Sequence, residues 1–197
     1  MDRETRKFWE QRRREMLRHN RGRRTSGGIG IPVTTGLILT MALGWLVETY
    51  APGLLAIMVT RPGGSIALVL LATILPGSLL GLLFAGVFVW MIGSQIESVA
   101  APWQYLLIFF GSGVLGGIAA SMLGGIGLGG SFAAFGLAGG YVRAMARISE
   151  RSAVQWTLLI LGLNVVLSGF QPTILAGMAT AFLTGLGIAL AVRLGER

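Results

Sequence analysis

Between Trp103 and Leu123 the chain runs 21 residues without a charged side chain. At a rise of about 1.5 Å per residue, a helix of that length crosses the roughly 30 Å hydrocarbon core of a bilayer. Apolar runs of similar length occupy Ile31–Tyr50, which carries Glu48 near its end, Leu79–Ile96 and Thr173–Val192, and shorter ones occupy Ser131–Met145, which carries Arg143, and Val154–Leu167. The rest of the composition agrees. Apolar residues make up 53% and charged residues 12%, against about 25% charged in an ordinary soluble domain. The mean hydropathy is +0.73. The chain reads as an all-α integral membrane protein with six transmembrane helices.

The placement of charge predicts how those helices are oriented. Ten of the sixteen basic residues precede residue 25, beside only Asp2, Glu4, Glu10 and Glu15. Residues 1–30 therefore read as a basic tail, and residues 31–195 as the transmembrane domain. The tail is too charged, and too long before its first apolar run, for a cleaved signal peptide. With the tail in the cytoplasm, six spans put fifteen of the sixteen basic residues inside and leave Arg61 alone outside, as the positive-inside rule requires. Both termini are then cytoplasmic. Leu54–Leu75 would scramble this pattern as a further span. It is broken at Arg61-Pro62-Gly63-Gly64 and reads as a re-entrant or interfacial hairpin on the outer side, whose backbone survives at membrane depth only when buried against protein. A basic tail of this kind orients the chain and meets anionic lipids. It is not the dispersed basic face of a nucleic-acid-binding domain. A single lysine, Lys7, beside 15 arginines hints at a GC-rich genome.

Glycine is the second compositional signal, with 31 in 197 residues against a usual share of about 7%. Small residues recur four apart at Gly77/Gly81, Gly113/Gly117, Gly136/Gly140 and Gly177/Ala181/Gly185. Such ladders let helix backbones approach closely in lipid. Cysteine is absent, which excludes disulfides and thiolate chemistry. His19, the one histidine, lies in the tail. No metal, nucleotide or other cofactor motif is present. The spans lack the ionisable residues that mark an ion or proton pathway. For a small transporter or channel there is only topology.

The most informative stretch is Gly129-Gly130-Ser131-Phe132-Ala133-Ala134-Phe135-Gly136-Leu137-Ala138-Gly139-Gly140. Ser131 follows a glycine-rich loop and opens a small-residue helix. Two readings stand open on local sequence. Ser131 is an N-cap that satisfies a free N–H of the first turn, or it is a nucleophile whose oxyanion the helix-start amides would stabilise.

This stretch, together with Pro76–Glu97 and its Gly93-x-x-x-Glu97 ending and with Thr173–Gly185, resembles the rhomboid family of intramembrane serine proteases. Six spans, an outer hairpin after span one and a Gly-x-Ser motif opening span four are that family's bacterial core. The resemblance covers about residues 31–195 and implies a bacterial cytoplasmic-membrane protein with Ser131 at the nucleophile position. Phe132 departs from the family pattern, which has a small residue there.

The larger departures concern catalysis. The family's catalytic histidine on span six would fall at Ile174. The histidine and asparagine that help bind the oxyanion would fall at Gly81 and Ala85, and the hairpin's Trp-Arg pair near Ala67 and Leu68. A serine hydroxyl is a poor nucleophile without an adjacent base, and isoleucine supplies none. Lys7 and His19 are in the tail and Glu97 is expected at the cytoplasmic end of span two, which leaves Glu48 as the one acid on the outer side. The resemblance thus implies a catalytically incomplete protein. Such a protein would bind transmembrane segments of clients or serve as an accessory subunit of a membrane complex. The alternative is an active protease using Ser131 with an unconventional base.

Overall fold

A computed structural model describes residues 33–60, 69–124, 130–167 and 169–194, and its compact unit spans Pro32–Arg197. The elements are α1 (Val33–Tyr50), α2 (Pro52–Thr60), α3 (Leu79–Glu97), α4 (Pro102–Met122), α5 (Gly130–Ala146), α6 (Glu150–Leu167) and α7 (Pro172–Ala191). No strand occurs among the described residues. Local sequence accounts for several of the ends. Pro102 and Pro172 open α4 and α7, where a missing N–H costs nothing. The Ser78 hydroxyl caps α3 by accepting from the Gly81 N–H at 3.0 Å. Gly77 (φ +68°) and Gly169 (φ +55°) take the left-handed turns before α3 and α7, conformations that glycine adopts without strain.

Four of these helices are long and apolar enough to cross a membrane: α1, α3, α4 and α7. Their outer faces are apolar too, with Leu39, Leu43, Leu80, Leu83, Leu115 and Leu183 all exposed. A contiguous apolar exterior marks a surface that meets lipid or another protein rather than water. The expected Ser131–Met145 and Val154–Leu167 segments are also helical, and α6 starts four residues earlier than its apolar run, at Glu150.

Successive long helices reverse direction. Gly116 and Ala120 of α4 meet Gly177 of α7, while Gly111 meets Ile188, so α4 and α7 are antiparallel. Gly113 of α4 meets Ala133 of α5 and Ile108 meets Gly140, again antiparallel. Tyr141 of α5 packs edge-on against Trp156 of α6 at 5.3 Å. The chain therefore enters α1 and leaves α7 at the same end of the bundle. Arg143, Arg147, Arg151 and Arg193 follow from this order at that end, and Ser131 at the opposite one.

The centre is α5, in which every residue from Phe132 to Val142 is buried. A helix covered on all sides needs small residues wherever a neighbour crosses, and the glycine ladder supplies them. A methyl on Gly136 would fall on the Ser112 hydroxyl, one on Gly139 on the Phe182 carbonyl, and one on Gly185 on the Gly136 carbonyl. The Gly113, Gly136/Gly140 and Gly177/Ala181/Gly185 positions are thus helix contacts. Gly77/Gly81 is not one. Gly77 precedes α3 in a turn, and a methyl on Gly81 would strike the carbonyl of Pro76, just before the helix cap. That pair builds a helix start, which spacing alone does not distinguish from a helix seam.

Between α2 and α3, residues 69–72 are helical, and Thr73, Leu75 and Pro76 are buried. A methyl on Gly44 of α1 would come within 3.1 Å of Leu75, and one on Gly113 of α4 within 3.1 Å of Thr73. This part of the expected hairpin inserts against α1 and α4. Thr73 satisfies its hydroxyl locally, donating to the Leu70 carbonyl at 2.6 Å.

Candidate functional site

Gly130 is already helical, so Ser131 stands inside the first turn of α5 and is not its N-cap. The residue is half-buried, and among the described residues no group hydrogen-bonds to its hydroxyl. Its turn is fixed by the next residue. The buried Phe132 lays its ring on α7 at Gly177, where an added methyl would come within 2.8 Å of the ring, and its Cβ approaches Gly116 of α4. The start of α5 is thereby held between α4 and α7.

The other positions picked out in the sequence come from helices that flank this turn. Ile174 lies three residues before Gly177, one turn nearer the start of α7, half-buried and packed against the core. On α3, Phe88 stacks on Phe135 of α5, with ring centroids 5.3 Å apart and planes at 28°. Ala85 sits on the same face one turn toward the Ser131 end, fully buried, and Gly81 sits one turn beyond it. The helices that carry Ile174 and Ala85/Gly81 therefore both pack on α5, the helix that carries Ser131. What they offer to a hydroxyl at this place is aliphatic. None of Ile174, Ala85 or Gly81 carries a side chain that takes a proton or donates to an anion.

Glu48 is on α1, whose C-terminal end lies at the Ser131 end of the bundle. It follows Gly44, which faces Leu75, by one turn. One carboxylate oxygen, Oε2, is buried with no hydrogen-bond partner. Ala67, Leu68, Lys7 and His19 lie outside the described residues. Among those described, no group of His, Cys, Asp and Glu side chains is placed to hold a metal ion.

Polar side chains are concentrated at the opposite end. The Glu97 carboxylate, at the end of α3, accepts from the backbone N–H of Val33 (2.5 Å) and of Thr34 (3.1 Å), and from the Thr34 hydroxyl (2.6 Å). Two of the free amides that begin α1 are thus satisfied by an acid 63 and 64 residues away, and the negative charge sits at the positive end of that helix. The Thr34 hydroxyl also lies 3.4 Å from that of Tyr105. Next to this, Gln104 joins two more elements. Its Oε1 accepts from the Ala101 N–H at 2.9 Å, and its Nε2 donates to the Val192 carbonyl at 3.0 Å. Sequence reasoning placed Glu97 at the far end from Ser131 but did not foresee the staple. The available signal was a lone acid closing an apolar helix, which needs a polar partner. Gln104 carried a signal as well, being three residues past a helix start, where its side chain reaches back to the cap amide.

No family model, curated protein or solved structure matches this chain.

Proposed function

We propose that the protein is a rhomboid-like membrane protein of six spans that lacks proteolytic activity and binds transmembrane segments of other proteins. Both ends of the domain would face the cytoplasm, where the tail's arginines meet anionic lipid. The observation that carries the reading is the packing of Phe132 on Gly177. It supports the reading because it brings the start of α5 onto α7 one turn from Ile174, and isoleucine cannot take a proton. General base catalysis contributes typically about 10²–10⁴-fold and a single oxyanion donor about 10²–10³-fold. With aliphatic residues at both kinds of position, Ser131 keeps the reactivity of an ordinary alcohol. Intramembrane binding needs only apolar helix surfaces that can pack against another helix, and the exposed leucines of α1, α3, α4 and α7 offer them.

The orphaned oxygen of Glu48 favours a second reading, in which that carboxylate serves as base for Ser131. Co-reconstitution with single-span peptides in proteoliposomes tests both. The first reading expects peptides to crosslink to the protein and remain full length. Cleavage that is lost in Ser131→Ala and in Glu48→Gln would establish the second reading and overturn the first.

A further inference from the structure

The end of the bundle that carries the arginines holds an open-sided cleft of about 410 Å³ between α3 and α6, floored by α5. Its lining combines Trp90, Ser94 and Gln95 from α3 with Tyr141 from α5 and Trp156 from α6. The α3 wall of the cleft contains an irregularity. Residues Val89–Gly93 form a π turn, and such turns re-aim side chains and are frequent at functional sites. Here Gly93 is pressed on Tyr105, where a methyl would fall on the hydroxyl, while the exposed Trp90 and Met91 line the cleft.

The lining is rich in hydrogen-bond donors that protein does not use. Among the described residues, the Tyr141 hydroxyl, the Gln95 amide and the two indole N–H groups have no hydrogen-bond partner. Indoles donate only, and hydroxyl and amide groups add further donors. The ligand that matches is an acceptor, and the arginines at this end make an anionic one favourable. Indole and phenol rings are also the side chains that settle at the level of lipid head groups.

We propose that this cleft binds a membrane glycerophospholipid, holding its phosphodiester with Tyr141, Gln95 and the indoles while an acyl chain runs along α3 and α6. The proposal rests on the bundle lying in a membrane and not on the state of Ser131. The test is native mass spectrometry of the delipidated full-length chain titrated with phosphatidylglycerol, and with diacylglycerol of the same chains. Phosphatidylglycerol should be retained at least tenfold better than diacylglycerol. Tyr141→Phe and Gln95→Leu should each weaken it about tenfold, the size of a hydrogen bond to a charged group. Trp156→Phe, which keeps a ring and loses the N–H, should act in the same direction. Equal binding of diacylglycerol, or variants that bind like the parent, would overturn the proposal. So would a single-span peptide that binds where phospholipid does not and is lost in the same variants. A melting temperature held within a few degrees shows that each variant is folded. If Tyr141→Phe unfolds, the exposed Gln95 decides.

Discussion

The two ends of the bundle treat polar groups in opposite ways. At the end where the chain enters and leaves, Glu97 satisfies the first amides of α1 and Gln104 ties the start of α4 to the end of α7. At the other end Ser131 stands in the first turn of α5 with Phe132 packed on Gly177 and Ile174 one turn away. Unpaired polar groups are costly in an apolar medium. The first end therefore uses Glu97 and Gln104 to hold helices together. At the second, no described group hydrogen-bonds to the Ser131 hydroxyl. The contrast teaches that the conspicuous serine is not where this protein's polar interactions are made.

The seam shared by both ends should give the largest effect if disturbed. Gly185→Val puts side-chain atoms onto the Gly136 carbonyl, and overpacking of this kind costs about 3 kcal/mol. It should show as loss of the monodisperse peak in detergent gel filtration. Breaking the polar end comes next. Glu97→Ala leaves three donors without their acceptor, an expected loss of about 2 kcal/mol read as a lower melting temperature and faster proteolysis at the start of α1. Gln104→Leu, which removes the tether to Val192, should lose about 1 kcal/mol in the same melting assay. The smallest effect should come from the other end, where Ser131→Ala should change stability by less than about 0.5 kcal/mol. A Ser131→Ala loss as large as that of Glu97→Ala would erase the contrast between the ends.

Much of the helical frame was legible because a residue type needed in lipid is either long-run apolar or small. Trp103–Leu123 could be nothing but a long helix, and Pro102 marks its start. Gly136, Gly177 and Gly185 announced close helix approaches. The central position of α5 was harder to read. In a membrane protein apolar character does not separate inside from outside, and the mark of the covered helix is its run of Gly and Ala between Phe132 and Gly140. The π turn at Val89–Gly93 leaves no period in the sequence, and the Tyr105 that packs on its Gly93 comes from another helix. Glu97 was seen as distant from Ser131, but its partners lie more than sixty residues away, beyond any local pattern. Of the two readings local sequence left open for Ser131, the cap is the one the fold removes, because Gly130 before it is already helical.

The central claim is that Ser131 is an unactivated alcohol. Its most direct test is labelling of the purified protein in nanodiscs with a serine-directed fluorophosphonate, beside Ser131→Ala and a competent rhomboid protease as standard. The account predicts label on the standard and the same background on the parent chain and Ser131→Ala. Label on the parent that disappears in Ser131→Ala would contradict it, showing a base that the aliphatic neighbours of this turn do not supply.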